Sequence, residues 1–187
     1  PGQRILIRSH PETLAGKRPG HFTKDQAQGR ISFIDGAFAP MDLLDGAIAV
    51  YTLSSQMGFE AILAGHKPRV FGTPFYAGWG LTEDEHQLIR RQRQLTRAQL
   101  FAGAMIRFPV WYDPYTDDLC DLERVIGTLE ATQRAWIEDR HGWYGRNIKL
   151  WKRPHMQAMF GSQKPMRFVT KSPTDGARCM AWGHRTN

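Results

Sequence analysis

Cysteine is scarce in this sequence of 187 residues: Cys120 and Cys179 are the only two, far apart and outside any CxxC or His-rich context. That spacing points to neither a disulfide framework nor a zinc site, and it suits a reducing compartment. Apolar runs are short too, none approaching the ~18 to 20 residues that cross a bilayer. The opening PGQRILIRSH lacks the apolar core of a secretory signal. No internal repeat or low-complexity tract occurs. Three common signatures are missing as well: GxxxxGK[ST], a GxGxxG after a strand, and GxSxG.

What is present is a globular composition with a basic balance. Hydrophobic residues make up 41%, aromatics 11% and charged residues 23%, which allows a buried core and does not fit a disordered or collagen-like chain. Lys and Arg number 25 against 18 Asp and Glu, a formal charge of +7. An anionic partner is therefore expected: phosphate, nucleic acid or anionic lipid.

The first half alternates strand and helix signals. Strands are predicted over 4–9, 30–34, 47–53 and 68–72; a helix is predicted from Met57, with Ala61, Ile62 and Leu63 on its buried stripe and Gly65 closing it. Such alternation predicts a Rossmann-like α/β fold with a mostly parallel sheet, because parallel neighbours need crossovers. Residues 73–84, TPFYAGWGLTED, have no period and read as a loop at the sheet's edge. Further on, a helix over 95–108 with Thr96 as its cap is followed by a turn-rich connection. A second helix over about 121–140 has Leu122, Val125, Ile126 and Leu129 inward, and a short helix is predicted around 143–151. Strands over 166–170 and 178–182 would start a new sheet. The chain opens almost directly in a strand-like run and is expected to be a piece of a longer protein.

The most informative local feature is the step from AIAVYTL into SSQMGFEA. A helix opening after a parallel strand presents free backbone N–H groups at the carboxyl edge of the sheet, and Ser54 and Ser55 would add two hydroxyl donors for a phosphate. The alternative is a serine cap alone. His10-Pro11 follows the first strand in the same way, and an imidazole can donate to a phosphate oxygen; a plain loop histidine is the competing reading. Glu60 is placed to accept from a ribose or to sit on a solvated face. Asp35 and Asp42, beside the second strand's turn, are candidates for ribose or cytosine contacts or simple turn formers.

Other groupings are weaker. Glu83, Asp84, Glu85 and His86 are adjacent on an exposed turn, an arrangement that rarely converges on one metal ion, so no metal site is expected. Arg90, Arg91, Arg93 and Arg97, and the later Arg146, Lys149, Lys152 and Arg153 with interleaved aromatics, invite comparison with nucleic-acid binders. No nucleic-acid motif accompanies them, and Trp interleaved with Lys also marks surfaces lying on anionic lipid. Lipid or domain contact is the expectation, with no nucleic-acid partner.

The run VYTLSSQMGFEAILAGHKPRVFGTPFYAGWGLTED resembles the hallmark of the KpsC/LipA-type capsule polysaccharide proteins, bacterial β-Kdo glycosyltransferases, with SSQMGFEA, VFG and FYAGWGLT together and in order. His10-Pro11, the stretch LTRAQLFAGAMIRFPVWYDPYTDDLCDLERVI and LWKRP extend the likeness over roughly residues 4–160. The resemblance implies the donor-binding half of a GT-B glycosyltransferase that is retaining, uses CMP-Kdo as donor substrate without a further cofactor, and acts on a phosphatidylglycerol-type lipid-linked acceptor. It places the protein in the cytoplasm, peripheral at the inner membrane, among other capsule assembly proteins. By motif, His10, Ser54 and Ser55 would hold the CMP phosphate. Glu60, Tyr76 and Trp79 match family positions and, with Asp35, are donor nucleoside or sugar candidates. The catalytic acid is expected outside this chain.

The implied division is a Rossmann-like donor domain over 1–120, helices over 121–160 that pack towards an amino-terminal domain, and a linker with the start of a following module over 161–187. His66 departs from the pattern, interrupting a more usual Gly-Lys-Pro. A non-catalytic scaffold in capsule assembly or export, binding membrane or partner protein, is the competing expectation.

Overall fold

The computed structural model describes residues 2–34, 38–171 and 178–182. The chain divides into two compact units, Pro1–Leu100 and Phe101–Asn187.

In the first unit, β1 (Ile5–Arg8) pairs in parallel with β2 (Ile31–Ile34), Ile5 opposite Ile31. Between them lies the short helix α1 (Pro11–Leu14), started by Pro11 and capped by the His10 ring. Helix α2 (Pro40–Asp45) buries Leu44. Then come β3 (Tyr51–Thr52), α3 (Met57–Leu63), β4 (Arg69–Val70) and β5 (Glu83–Asp84), the strands forming a parallel sheet in the order β3-β4-β5. Helix α3 buries Gly58, Phe59, Ala61 and Ile62 and is closed by Gly65 at φ +102°. With Leu44, Val70, Tyr76, Ala77 and Leu100 these residues form the core.

The expected α/β character and parallel pairing are present, but the strands fall into ladders of two and three. The run from Ala47 finds a ladder partner only from Val50 to Leu53, where Arg69 N–H donates to the Val50 carbonyl and Gly72 N–H to that of Leu53. Its strand is correspondingly short. Gly72 is required there: a Cβ would stand 2.5 Å from the Leu53 oxygen. The end of the expected edge loop is itself a strand, β5, since Glu83 and Glu85 N–H groups donate to Pro68 and Val70.

Helix α4 (Arg97–Phe101) continues as a π-helical stretch, Ala102–Arg107, and Thr96 caps it as expected, exchanging hydrogen bonds with Gln99. In the second unit the expected connection is an antiparallel hairpin, β6 (Trp111–Asp113) with β7 (Asp118–Cys120), turning through Asp117 at φ +57°. Helix α5 (Leu122–Asp139) is capped by Asp121, whose carboxylate accepts from Arg124 N–H. Of its expected inward face Leu122 is buried, whereas Ile126 and Leu129 are exposed, because α5 packs on β6 near its start and extends beyond that support.

The helix expected around 143–151 is instead the strand β8 (Tyr144–Arg146). Gly142 and Asn147 at positive φ bracket it, and Gly145 lets Ile148 and Phe168 close over the backbone. A 3-10 turn (Leu150–Lys152) leads into α6 (Arg153–Phe160), with Pro154 in its first turn. The two tail strands, β9 (Arg167–Val169) and β10 (Cys179–Ala181), flank β8 in one parallel sheet, so the expected 121–160 and 161–187 segments share a sheet. Ile148, Met156 and Met166 form its core, with Trp143, Phe160, Phe168 and Met180 packed around them.

Candidate functional site

The Ser54-Ser55 step lies just beyond the carboxyl end of β3. Both backbone polar groups of Ser55 are held by buried side chains: its N–H donates to Thr52 Oγ1 at 3.2 Å, and its carbonyl accepts from the Tyr76 hydroxyl at 2.6 Å. Tyr76 is fully buried, and its ring passes so close to α3 that a Cβ on Gly58 would lie 2.3 Å from its oxygen. Burial pushes the Tyr76 phenol above its ordinary range, opposed by a hydrogen bond with Thr52, so the phenol stays protonated and donates.

Ser55 Oγ accepts from Met57 N–H at 3.3 Å. The serine thus caps the helix entry as sequence reasoning expected, although the N-cap position itself is Gln56, with helical dihedrals and no side-chain cap bond. Capping through a lone pair leaves the Ser55 O–H free to donate elsewhere. Both serines are exposed, and the Ser54 hydroxyl has no hydrogen-bond partner among the described residues. Ser54 and Ser55 therefore present two donors on a peptide that the core holds still.

The loop over 73–84 is fastened from within. Arg91 Nη1 donates to the carbonyls of Pro74 (2.5 Å) and Ala77 (2.6 Å), and its guanidinium lies 5.5 Å from the centre of the Trp79 ring. Trp79 Nε1 donates to Phe75 O. Asp84 accepts from Gly78 N–H and from the Thr82 hydroxyl, and Gly78 and Gly80 take positive φ values that few other residues adopt. Phe75 packs between Phe59 and Tyr76 with ring centres 5.1 and 5.3 Å apart. Composition alone marked this segment as irregular; Arg91 was read only as one positive charge among several.

His10 belongs to the β1-β2 ladder, which is not hydrogen-bonded to the sheet carrying the serines. Its Nδ1 accepts from Glu12 N–H, so the neutral ring carries its proton on Nε2. Glu60 is half-buried on α3, without a side-chain hydrogen bond or ion pair among the described residues. Asp42 is exposed on α2, and Asp35 lies outside the described residues. The acids after the loop have separate duties: Glu85 pairs with Arg69 while Asp84 braces the loop. His66 bonds the Leu44 carbonyl at 2.8 Å, joining the end of α3 to α2.

A family model described as capsule polysaccharide biosynthesis protein matches residues 1–110. This chain belongs to that family. The capsule polysaccharide modification protein LipA of Neisseria meningitidis serogroup B is 33% identical over 198 aligned positions, covering 98% of this chain. The lipopolysaccharide-processing protein LpsZ of Rhizobium meliloti is 34% identical over 69% of the chain. These matches span only 28% and 29% of the relatives' own length. Among solved structures, the beta Kdo 2,4 transferase of Thermosulfurimonas dismutans KpsC superposes with a TM-score of 0.63 at 38% identity, covering 67% of this chain and 39% of that one. The beta Kdo 2,7 transferase of the same protein gives 0.59 at 28% identity, over 70% and 41%. The chain is thus a KpsC/LipA-type capsule protein with an α/β fold.

In this capsule protein the later basic cluster is more committed than its sequence suggested. Lys152 Nζ stands 3.9 Å from the Trp182 ring centre and 4.9 Å from that of Trp151, and Arg153 lies over Phe168 while donating to the Ile148 carbonyl. Arg146 is half-buried on β8 and has a partner; Lys149 is exposed. Trp151 and Trp182 remain 66% and 54% exposed, so this is an aromatic and cationic face rather than four free charges. Among the described residues no helix is long and apolar enough to cross a membrane.

Proposed function

We propose that this chain is the donor-binding part of a retaining β-Kdo transferase of GT-B type, which takes CMP-Kdo and extends a phosphatidylglycerol-type lipid-linked acceptor at the cytoplasmic face of the inner membrane. The observation that carries the reading is the Ser55 peptide, held at both polar groups while the Ser54 and Ser55 hydroxyls stay available as donors. The likeness to two KpsC modules titled beta Kdo transferases supports the choice of sugar.

Transfer breaks the bond between the anomeric carbon and a phosphate oxygen, and negative charge gathers on the departing CMP. Donors already fixed in place stabilise that charge without reorganising. Ser54 and Ser55 would serve on the phosphate, with His10 Nε2 as a third donor. Glu60, unpaired among the described residues, is suited to a ribose or sugar hydroxyl. Trp79, half-buried against Arg91, would wall the site, and Tyr76 would act from beneath.

Calorimetric titration of the chain with CMP, against UMP and AMP, tests this. Selective CMP binding, even submillimolar, is expected, and Ser54→Ala with Ser55→Ala should remove it while the thermal transition persists. A folded chain that treats the three nucleotides alike would refute the reading. A second reading, a scaffold that binds anionic membrane, is favoured by the exposed Trp151-Lys152-Trp182 face.

A further inference from the structure

Tyr76 is a polar side chain with no exposed surface whose hydroxyl is aimed at one acceptor, the Ser55 carbonyl. Burying a phenol demands a partner, yet a core position could take Phe at no polar cost. The neighbouring residues accommodate the hydroxyl specifically. Gly58 leaves the room that any Cβ would fill, the ring packs edge-on to Phe75, and Thr52, also buried, takes the N–H of the same Ser55.

We propose that Tyr76 and Thr52 are positioning residues for the donor site, fixing the Ser55 peptide so that the serine hydroxyl meets a nucleotide phosphate without rearrangement. The inference rests on the donor-binding reading above and adds to it the residues that set the site's geometry. Between them the two side chains hold both ends of one exposed residue, so Ser55 retains only its χ1 freedom. Its capping bond to Met57 N–H narrows that freedom in turn. Preorganisation of this kind acts on affinity because ordering need not occur at binding. Tyr76 itself touches no ligand.

A double-mutant cycle on CMP affinity distinguishes positioning from mere support. Tyr76→Phe keeps the ring and removes the hydroxyl with its bonds to the Ser55 carbonyl and to Thr52; loss of the bond to Ser55 predicts CMP binding weaker by roughly fivefold. In a Ser55→Ala background the same change should cost nothing further, because its effect runs through the Ser55 hydroxyl. Thr52→Val should mimic Tyr76→Phe, and Thr52→Ser, which restores the acceptor, should rescue. In the ligand-free chain Tyr76→Phe should also speed amide exchange at Ser55 and Met57.

Equal losses in the wild-type and Ser55→Ala backgrounds would overturn the inference and leave the donor-binding reading standing. So would unchanged affinity in Tyr76→Phe. If Tyr76→Phe fails to fold, the Thr52 pair decides by the same comparison. A wild-type chain without CMP affinity would overturn both, whereas Ser55→Ala sensitivity with Tyr76→Phe insensitivity refutes positioning alone.

Discussion

The loop over 73–84 in the first unit and the aromatic face of the second both use cations, but they hold them differently. Arg91 gives its N–H groups to the carbonyls of Pro74 and Ala77, and its charge serves to fix backbone. Lys152 rests on the rings of Trp151 and Trp182, and its ammonium has no hydrogen-bond partner among the described residues. The first arrangement builds a rigid wall; the second keeps a positive surface near 3-10 and helical turns. Sequence charge follows the same contrast: from Arg140 to Asn187 ten Lys and Arg stand against one acid, whereas residues 111–139 carry eight acids and two bases. A count of charges cannot separate a structural cation from one that meets a partner.

The comparison is broken most severely by Arg91→Ala. Two carbonyls lose a charged donor and Trp79 loses its cation, which should destabilise the first unit by about 2–4 kcal/mol, read as a lower midpoint in urea unfolding. Arg91→Lys should rescue only in part, since an ammonium can offer two N–H groups from one nitrogen as Nη1 does but lacks the planar guanidinium that stacks on the Trp79 ring. Full rescue by lysine would mean that charge alone matters there.

On the second unit, Lys149→Ala with Lys152→Ala should weaken sedimentation with phosphatidylglycerol vesicles by roughly thirtyfold, taking about 1 kcal/mol for each basic residue at an anionic surface. CMP affinity should not change. If vesicle binding is unaffected, the aromatic face is not a lipid surface.

The smallest effect concerns pH. The Arg124 guanidinium, 2.6 Å from Asp113, together with the Tyr115 N–H, holds the Asp113 carboxyl below its usual range. With the folded value lowered, this pair stabilises the second unit fully above about pH 4 and loses its effect as pH falls towards the lowered value. Asp113→Asn should therefore flatten the acid limb of a stability profile below about pH 4, and its cost should shrink as pH falls. An unchanged slope between pH 5 and 3 would show that the pair contributes nothing measurable.

Much of the site was legible because it depended on local chemistry. Ser54-Ser55 before Met57, Gly65 after Leu63, and Thr96 ahead of its helix all act within a few residues, so spacing alone located them. Tyr76 was found only as a matching position; its partner is 21 residues away, and no periodicity links the two. The strand at Tyr144–Arg146 was misread as helical because its aromatic and apolar spacing suits a helix, while the ladders that make it a strand come from residues 167–169 and 179–181.

The sequence by itself determined the α/β character, the helix entry that carries the serines and the membership of a capsule polysaccharide family, because these reside in short-range order and in motifs read along the chain. Only the tertiary structure decided which polar groups are buried and against what. It turned Arg91 from a surface charge into a loop fastener and Tyr76 from an aromatic into the donor beneath Ser55. Burial and hydrogen-bond partnership are properties of contacts between distant residues, and a linear pattern holds no record of the distances that create them.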